Sequence, residues 1–227
     1  MPESAVPALP AAVLFDMDGT LVDTEHLWWR AAAELAEELH HPLTETDAPE
    51  VLGQAVEHTA AHLHRVSGTA LSEAELAARL GDSFAGKVAA ETVPRPGALA
   101  LLAELRDARV PTALVSASPR RVVDMVLGTI GRDWFAVTLA AEDTPRTKPA
   151  PDPYLAAAER LGLDPAVCVA VEDTPTGVAS ATAAGCAVLA VPSSDVPIPD
   201  GSRITLLDSL ERADLALLGK ISTAPGV

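Results

Sequence analysis

The sequence predicts an α/β protein: a doubly wound parallel sheet of Rossmann-like type, with a small all-helical domain inserted after the first strand. Three observations predict it. From residue 98 onward, short apolar runs alternate with helical patterns, as in parallel β-α-β units. One further apolar run, Ala12–Phe15, stands ahead of a long stretch that shows helical periodicity and no convincing strand before Thr92. Several of the apolar runs end abruptly in acids or hydroxyls, which suits strands that present chemistry at the carboxyl edge of an open sheet.

Taken in order, residues 1–11 are Pro-rich and read as a loose lead-in to the strand Ala12–Phe15. From Glu25 to Leu39 the chain is rich in good helix formers. Thr44–Gly53, Ala55–Val66 and Ser72–Leu80 read as shorter helices separated by Pro or Gly, and Ser72-Glu73-Ala74-Glu75 spells a capping box. Val93-Pro94-Arg95-Pro96-Gly97 marks a rigid re-entry, after which the alternation begins. Helices are expected over Ala98–Ala108, Arg120–Ile130, Pro153–Leu161 and Thr176–Ala184. Strands are expected over Thr112–Val115, Phe135–Leu139, Val167–Val171 and Ala187–Val191. The tail holds a Pro-rich loop, a further strand near Ile204–Leu206 and a short helix. The expected domains are therefore a core of residues 1–23 and 93–227 and a helical domain of residues 24–92.

Composition narrows the function. With 48% apolar residues but only 3% aromatic, the core must be built from Ala, Val and Leu. A formal net charge of −16 repels nucleic acid and anionic membrane, so neither is an expected partner. It also repels a phosphorylated ligand at long range, so any phosphate site must be locally positive. The two cysteines, Cys168 and Cys186, lie in apolar runs and read as buried reduced thiols. Met1 to Pro10 lacks the basic and apolar regions of a secretory signal, and no apolar run approaches membrane-spanning length. A cytoplasmic protein is expected, a monomer in the first instance with a dimer as the alternative.

The chemistry-bearing residues sit at strand ends. Val13-Leu14-Phe15 runs into Asp16-Met17-Asp18-Gly19, so two carboxylates lie one residue apart. Close carboxylates need a cation or a shared proton, and a hard divalent ion with oxygen ligands, Mg²⁺ above all, meets that need. Leu114-Val115-Ser116-Ala117-Ser118-Pro119 puts a hydroxyl at the end of the next core strand. Lys148 stands before a helix that starts after prolines, and Val169-Ala170-Val171 ends in Glu172-Asp173. Thr174 can cap the helix that follows, with Pro175 at its first position.

The run from Asp16 to Thr24, D-x-D-G-T-L-V-D-T, resembles the first motif of the haloacid dehalogenase superfamily. Ser116, Lys148 and Glu172-Asp173 match its second, third and fourth motifs in order. The resemblance covers the whole chain and is similar to the subgroup whose mobile helical cap follows the first motif. It implies a phosphatase of small phosphorylated metabolites, sugar phosphates favoured, working through an aspartyl-phosphate. On that resemblance Asp16 is the nucleophile and Asp18 the general acid and base. Lys148 binds phosphoryl oxygen and neutralises Asp16, while Ser116 and the Ala117 N–H bind the remaining oxygens. Mg²⁺ is held by Asp16, the main-chain carbonyl of Asp18 and Asp173. Glu172 either orients a metal-bound water or binds the metal directly. The cap is expected to close during chemistry, with hinges near Thr24 and Val93.

Position 18 narrows the reaction within the resemblance. Dehalogenases of the superfamily lack an acid there and ion-pump ATPases carry threonine, so Asp18 points to a phosphatase or phosphomutase. The mutase alternative resembles β-phosphoglucomutase. That family has a histidine at the place of Trp28, an arginine soon after the cap glycine, where Gly53 is followed here by Gln54-Ala55-Val56, and Lys-Asn where this chain has Pro119-Arg120. A non-catalytic binding protein on the same fold is the second alternative. Two signals are discounted. Gly81-Asp82-Ser83-Phe84-Ala85-Gly86-Lys87-Val88 lacks the final Ser/Thr of a P-loop and follows a helix. The histidines, all between His26 and His64, lack the glutamate of H-E-x-x-H and read as solvated residues; Trp28 and Trp29 read as helix packing, one of them a candidate for a pocket mouth.

Overall fold

Six short strands form one parallel sheet in the computed structural model, which describes residues 9–193 and 196–223. They are β1 (Ala12–Phe15), β2 (Thr112–Val115), β3 (Val137–Leu139), β4 (Cys168–Glu172), β5 (Ala187–Ala190) and β6 (Ile204–Leu206), in the spatial order β3-β2-β1-β4-β5-β6. All the pairings are parallel. The helices are α1 (Glu25–Glu38), α2 (Ala48–Val51), α3 (Val56–Ser67), α4 (Glu73–Glu91), α5 (Ala98–Asp107), α6 (Arg120–Ile130), α7 (Asp152–Leu161), α8 (Pro175–Ala183) and α9 (Leu215–Ser222). The chain divides into two compact units. One runs up to Val22 and resumes at Pro94; the other is Asp23–Val93.

The sheet unit is the expected doubly wound layer. β1, β2, β4 and β5 are buried along their whole length, which is why, apart from Thr112 and Glu172 at their ends, they read as continuous apolar runs rather than alternating ones. Alternate strand residues (Leu14, Ala113, Ala170, Val188) pack under Tyr154, Ala157 and Ala158 of α7 and Val178 and Ala181 of α8. Small side chains on both sides let these helices lie close to the sheet, so a core poor in aromatics is still well filled. α9 packs on β4 and β5. The strand order reverses between β2-β1 and β4-β5, and the carboxyl ends at such a switch point are where open α/β sheets hold ligands. Cys168 and Cys186 are buried and unbridged, and burial pushes their thiols up to about 11 and about 12.

The helical unit corrects the expected end of its last helix. α4 continues from Glu73 to Glu91 rather than stopping at Leu80. Leu76, Leu80, Phe84 and Val88 make one buried stripe at helical spacing, and that burial outweighs the cost of Gly81 and Gly86 in the interior. The P-loop look-alike is thus mid-helix, and Lys87 bonds Glu34 of α1 at 2.6 and 2.7 Å. The capping box at Ser72 forms, with Glu75 N–H donating to the serine and the glutamate accepting from Ser72 N–H. Trp28 is a packing residue: its ring meets Phe84 edge-on and its Nε1–H donates to the Val51 carbonyl.

His62 departs from the solvated reading. It is buried, bonded to Asp47 through Nε2 and to Arg65 through Nδ1, and ties α3 to the turn before α2. His26, His58 and His64 each face an acid, Asp23, Glu50 and Glu73 respectively. Trp29 lines a shallow cleft of about 420 Å³ within this unit, together with Asp23, Glu25, His26, Glu45, Ala48 and Leu52. No helix among the described residues is long and apolar enough to cross a membrane.

Candidate active site

Register brings the strand-end residues together. β1 lies between β2 and β4, with Phe15 opposite Leu114 on one side and Val171 on the other. Asp16, the residue after β1, keeps the ladder by donating its N–H to the Val171 carbonyl. Glu172 closes β4 and Asp173 follows it. One oxygen of each of Asp16, Glu172 and Asp173 lies within 4.8 Å of the others, and all three residues are buried.

Lys148 reaches into this cluster from the loop before α7. Its ammonium, 5% exposed, donates to Asp16 Oδ1 at 2.5 Å and to Glu172 Oε1 at 2.6 Å. Burial works against its charge, but Asp16 and Glu172 outweigh burial and hold it protonated beyond the ordinary lysine range. Tyr154, the third residue of α7, donates its hydroxyl to the same Glu172 oxygen at 2.5 Å. Burial, with the Asp16 charge adding to it and Lys148 opposing, pushes the Glu172 carboxyl up to about 7. Asp173 is pushed well above the usual carboxylate range by burial first and then by the charges of Asp16 and Glu172, against a hydrogen bond from Ser193.

Three carboxyl groups share one ammonium, so the others need a proton or a cation. Asp16 Oδ2 and Glu172 Oε2 have no hydrogen-bond partner among the described residues. Buried carboxylate oxygens do not stay unpaired at small cost, and a set of hard oxygens converging in this way fits a hard divalent cation. Two glycines make the approach possible. Gly19, at φ 80°, lies against Asp173, and Gly177, in the first turn of α8, lies against Glu172. At both positions a methyl group would overlap the carboxylate. The α8 terminus is fixed by Thr174, whose hydroxyl accepts from Gly177 N–H at 3.1 Å, with Pro175 at its first position.

Asp18 lies beside this trio in a different setting. Its Oδ2 accepts from Ser118 Oγ at 2.7 Å and from Ser116 Oγ at 3.3 Å, while Ser118 N–H donates to Ser116 Oγ at 2.9 Å. The carboxylate of Asp18 therefore turns toward the loop after β2 and is not part of the cation-fitting set. Ala117 is exposed in that loop, and its N–H makes no hydrogen bond among the described residues. Ser118, Tyr154 and Ser193 are the side chains that sequence reasoning missed. Ser118 carried a signal, being the second serine of the S-A-S run; Tyr154 and Ser193 carried none, because their contacts depend on how α7 and the loop after β5 pack.

Fold and arrangement together define a class: a doubly wound α/β protein that gathers an aspartate–lysine pair and two further carboxylates at its switch point. The sequence profile of the haloacid dehalogenase-like hydrolases matches residues 10–185, and the chain belongs to that family. Hexitol phosphatase A of Escherichia coli (strain K12) is 39% identical over 189 residues, which cover 78% of this chain and 81% of the relative. Validoxylamine A 7'-phosphate phosphatase of Streptomyces hygroscopicus subsp. limoneus is 34% identical over 176 residues, 76% of this chain and 81% of the relative. Among solved structures, CbbY from Rhodobacter sphaeroides in complex with phosphate matches with a TM-score of 0.78 at 28% identity, over 90% of this chain and 96% of that one.

Proposed function

We propose that this hydrolase removes phosphate from the monoester of a small metabolite, a sugar phosphate by preference, through an aspartyl-phosphate on Asp16. The observation that carries the reading is the state of Asp16: one oxygen is held by Lys148 and the other is buried with no partner among the described residues. Oδ2 attacks phosphorus and forms the acyl phosphate as the bond to the leaving alkoxide breaks. Asp18 gives the alkoxide its proton, then takes one from the water that attacks the aspartyl-phosphate, releasing phosphate and Asp16. Lys148 holds a phosphoryl oxygen and balances the Asp16 charge, and Ser116 Oγ and the Ala117 N–H donate to the others. Such positioning and charge stabilisation are most of what phosphoryl transfer requires. Mg²⁺, held by Asp16, the main-chain carbonyl of Asp18 and Asp173 with Glu172 beside them, supplies neutralisation of the developing phosphoryl charge.

The phosphatases named among the relatives support a small phosphorylated metabolite. The setting of Arg120 supports hydrolysis over mutase chemistry. This cation stands where the mutase family has Lys-Asn, and it is committed elsewhere: its guanidinium bonds Asp143 and the Thr138 hydroxyl and carbonyl, and its N–H bonds Glu142. It is therefore not free to hold the second phosphate of a bisphosphate. The test is phosphate release from a panel of sugar and hexitol monophosphates, with Mg²⁺ and with chelator. β-Glucose 1-phosphate plus a trace of its bisphosphate is run alongside. Steady, chelator-sensitive phosphate release is expected; glucose 6-phosphate accumulating without phosphate would overturn the proposal.

A further inference from the structure

Tyr154 is wholly buried, so its hydroxyl must find a partner inside the protein. The partner is Glu172 Oε1 at 2.5 Å, the oxygen that also takes the Lys148 ammonium at 2.6 Å. The tyrosine ring carries that ammonium over its face, 5.3 Å from the ring centre. Gly177 backs the carboxylate so closely that an added methyl group would overlap Cδ and both oxygens. Two donors thus sit on Oε1, and Oε2 has none among the described residues. The terminal torsion of a glutamate is soft and nearly two-fold, so a carboxylate held less firmly would exchange its oxygens or tilt. Phenylalanine would fill the same volume and keep the ring over Lys148, so the hydroxyl itself needs a reason to be there.

We infer that Tyr154 is a positioning residue for the divalent-cation site: its hydroxyl locks Glu172 with Oε1 on Lys148 and Oε2 presented to the cation. The inference rests on the metal reading of Proposed function and adds a residue that acts through Glu172. Groups that orient metal-binding carboxylates from behind are typically worth about 10- to 100-fold in metal affinity.

The test is calorimetric titration of the metal-stripped full chain with Mg²⁺, comparing wild type, Tyr154→Phe, Glu172→Gln and the double variant. Tyr154→Phe is expected to raise the Mg²⁺ Kd about 10-fold or more. The Mg²⁺ concentration that half-saturates phosphate release should rise in step, while kcat at saturating Mg²⁺ changes much less. A merely structural role would lower the melting temperature of the stripped protein and leave the Kd alone. In the Glu172→Gln background the tyrosine change should cost nothing further, because its effect passes through that carboxylate. Wild-type Mg²⁺ affinity in Tyr154→Phe, or additive losses in the double variant, would overturn the inference alone. Absence of Mg²⁺ binding by the wild type would overturn the metal reading with it. Should Tyr154→Phe fail to fold, Glu172→Gln decides: an unchanged Kd there removes the carboxylate through which Tyr154 is said to act.

Discussion

Gly177→Ala isolates the close packing on which the site depends. Alanine in a helix is ordinarily better than glycine by about 1 kcal/mol. At position 177 the added methyl would overlap Cδ and both carboxylate oxygens of Glu172. The carboxylate cannot retreat without leaving Lys148 at 2.6 Å and Tyr154 at 2.5 Å, both fixed in buried positions. Overpacking of this kind costs about 1–3 kcal/mol, and loosening a buried ion pair adds about 3–5 kcal/mol when the pair is fully broken. A net loss of about 2 kcal/mol or more is expected, which lowers the melting temperature of a chain this size by roughly 5 °C. A displacement of about 1 Å at the reacting groups should cost on the order of 100-fold in turnover. Gly128→Ala is the control, since Gly128 lies in α6 with nothing within 4 Å of its added carbon; it should gain stability and keep full turnover. Thermal melts by circular dichroism and steady-state phosphate release read both variants. If Gly177→Ala matched Gly128→Ala in both assays, the Glu172 carboxylate would not be where the chemistry needs it.

Other outcomes follow from the same geometry. Ser118→Ala removes the 2.7 Å donor to Asp18 and should slow hydrolysis of alkyl phosphates about tenfold, with a smaller loss on p-nitrophenyl phosphate, whose leaving group needs less protonation; equal losses on both would argue against the acid role of Asp18. Without a cation, burial pushes the Glu172 carboxyl up to about 7 from its ordinary 4.5, so its burial is no burden below 4.5 and should subtract stability as pH rises from there toward 7. Cations need the ionised carboxylate, so the rise in melting temperature on adding Mg²⁺ should grow as pH rises through about 7; a rise independent of pH between 5 and about 8 would contradict this. Arg120→Met should lower the melting temperature by several degrees while leaving the KM for a sugar monophosphate unchanged, because Arg120 serves Asp143 and Thr138; a large rise in KM would place it at the substrate instead.

The sheet was legible because its inner strands are buried on both faces. Ala12–Phe15 is an uninterrupted apolar run and Thr112–Val115 is one after its first residue, so pattern and burial agree along nearly their whole length. α4 was less legible. Gly81 and Gly86 are strong local breakers, and only the stripe from Leu76 to Val88, packed against α1 and α3, overrides them. His62 shows the same limit, since nothing local announces that a histidine among charged residues will be buried between Asp47 and Arg65. In the site, residues at strand ends stand out because each must leave an apolar run abruptly, as Asp16, Ser116 and Asp173 do. Glu172 was visible but ambiguous: its place beside Asp16 and Asp173 depends on parallel register, which one sequence does not display. Tyr154 and Gly177 were silent because a helical tyrosine reads as core and a helical glycine as a defect. Their meaning comes from α7 and α8 meeting at one carboxylate.

The most direct test of the account is to trap the covalent intermediate. The wild type, turning over a sugar phosphate with Mg²⁺, is quenched and treated with borohydride, which reduces an acyl phosphate to an alcohol, and its peptides are read by mass spectrometry. The account predicts reduction at Asp16, dependent on substrate and lost with chelator. Continued phosphate release with Asp16 unmodified, or reduction at another carboxylate, would contradict it.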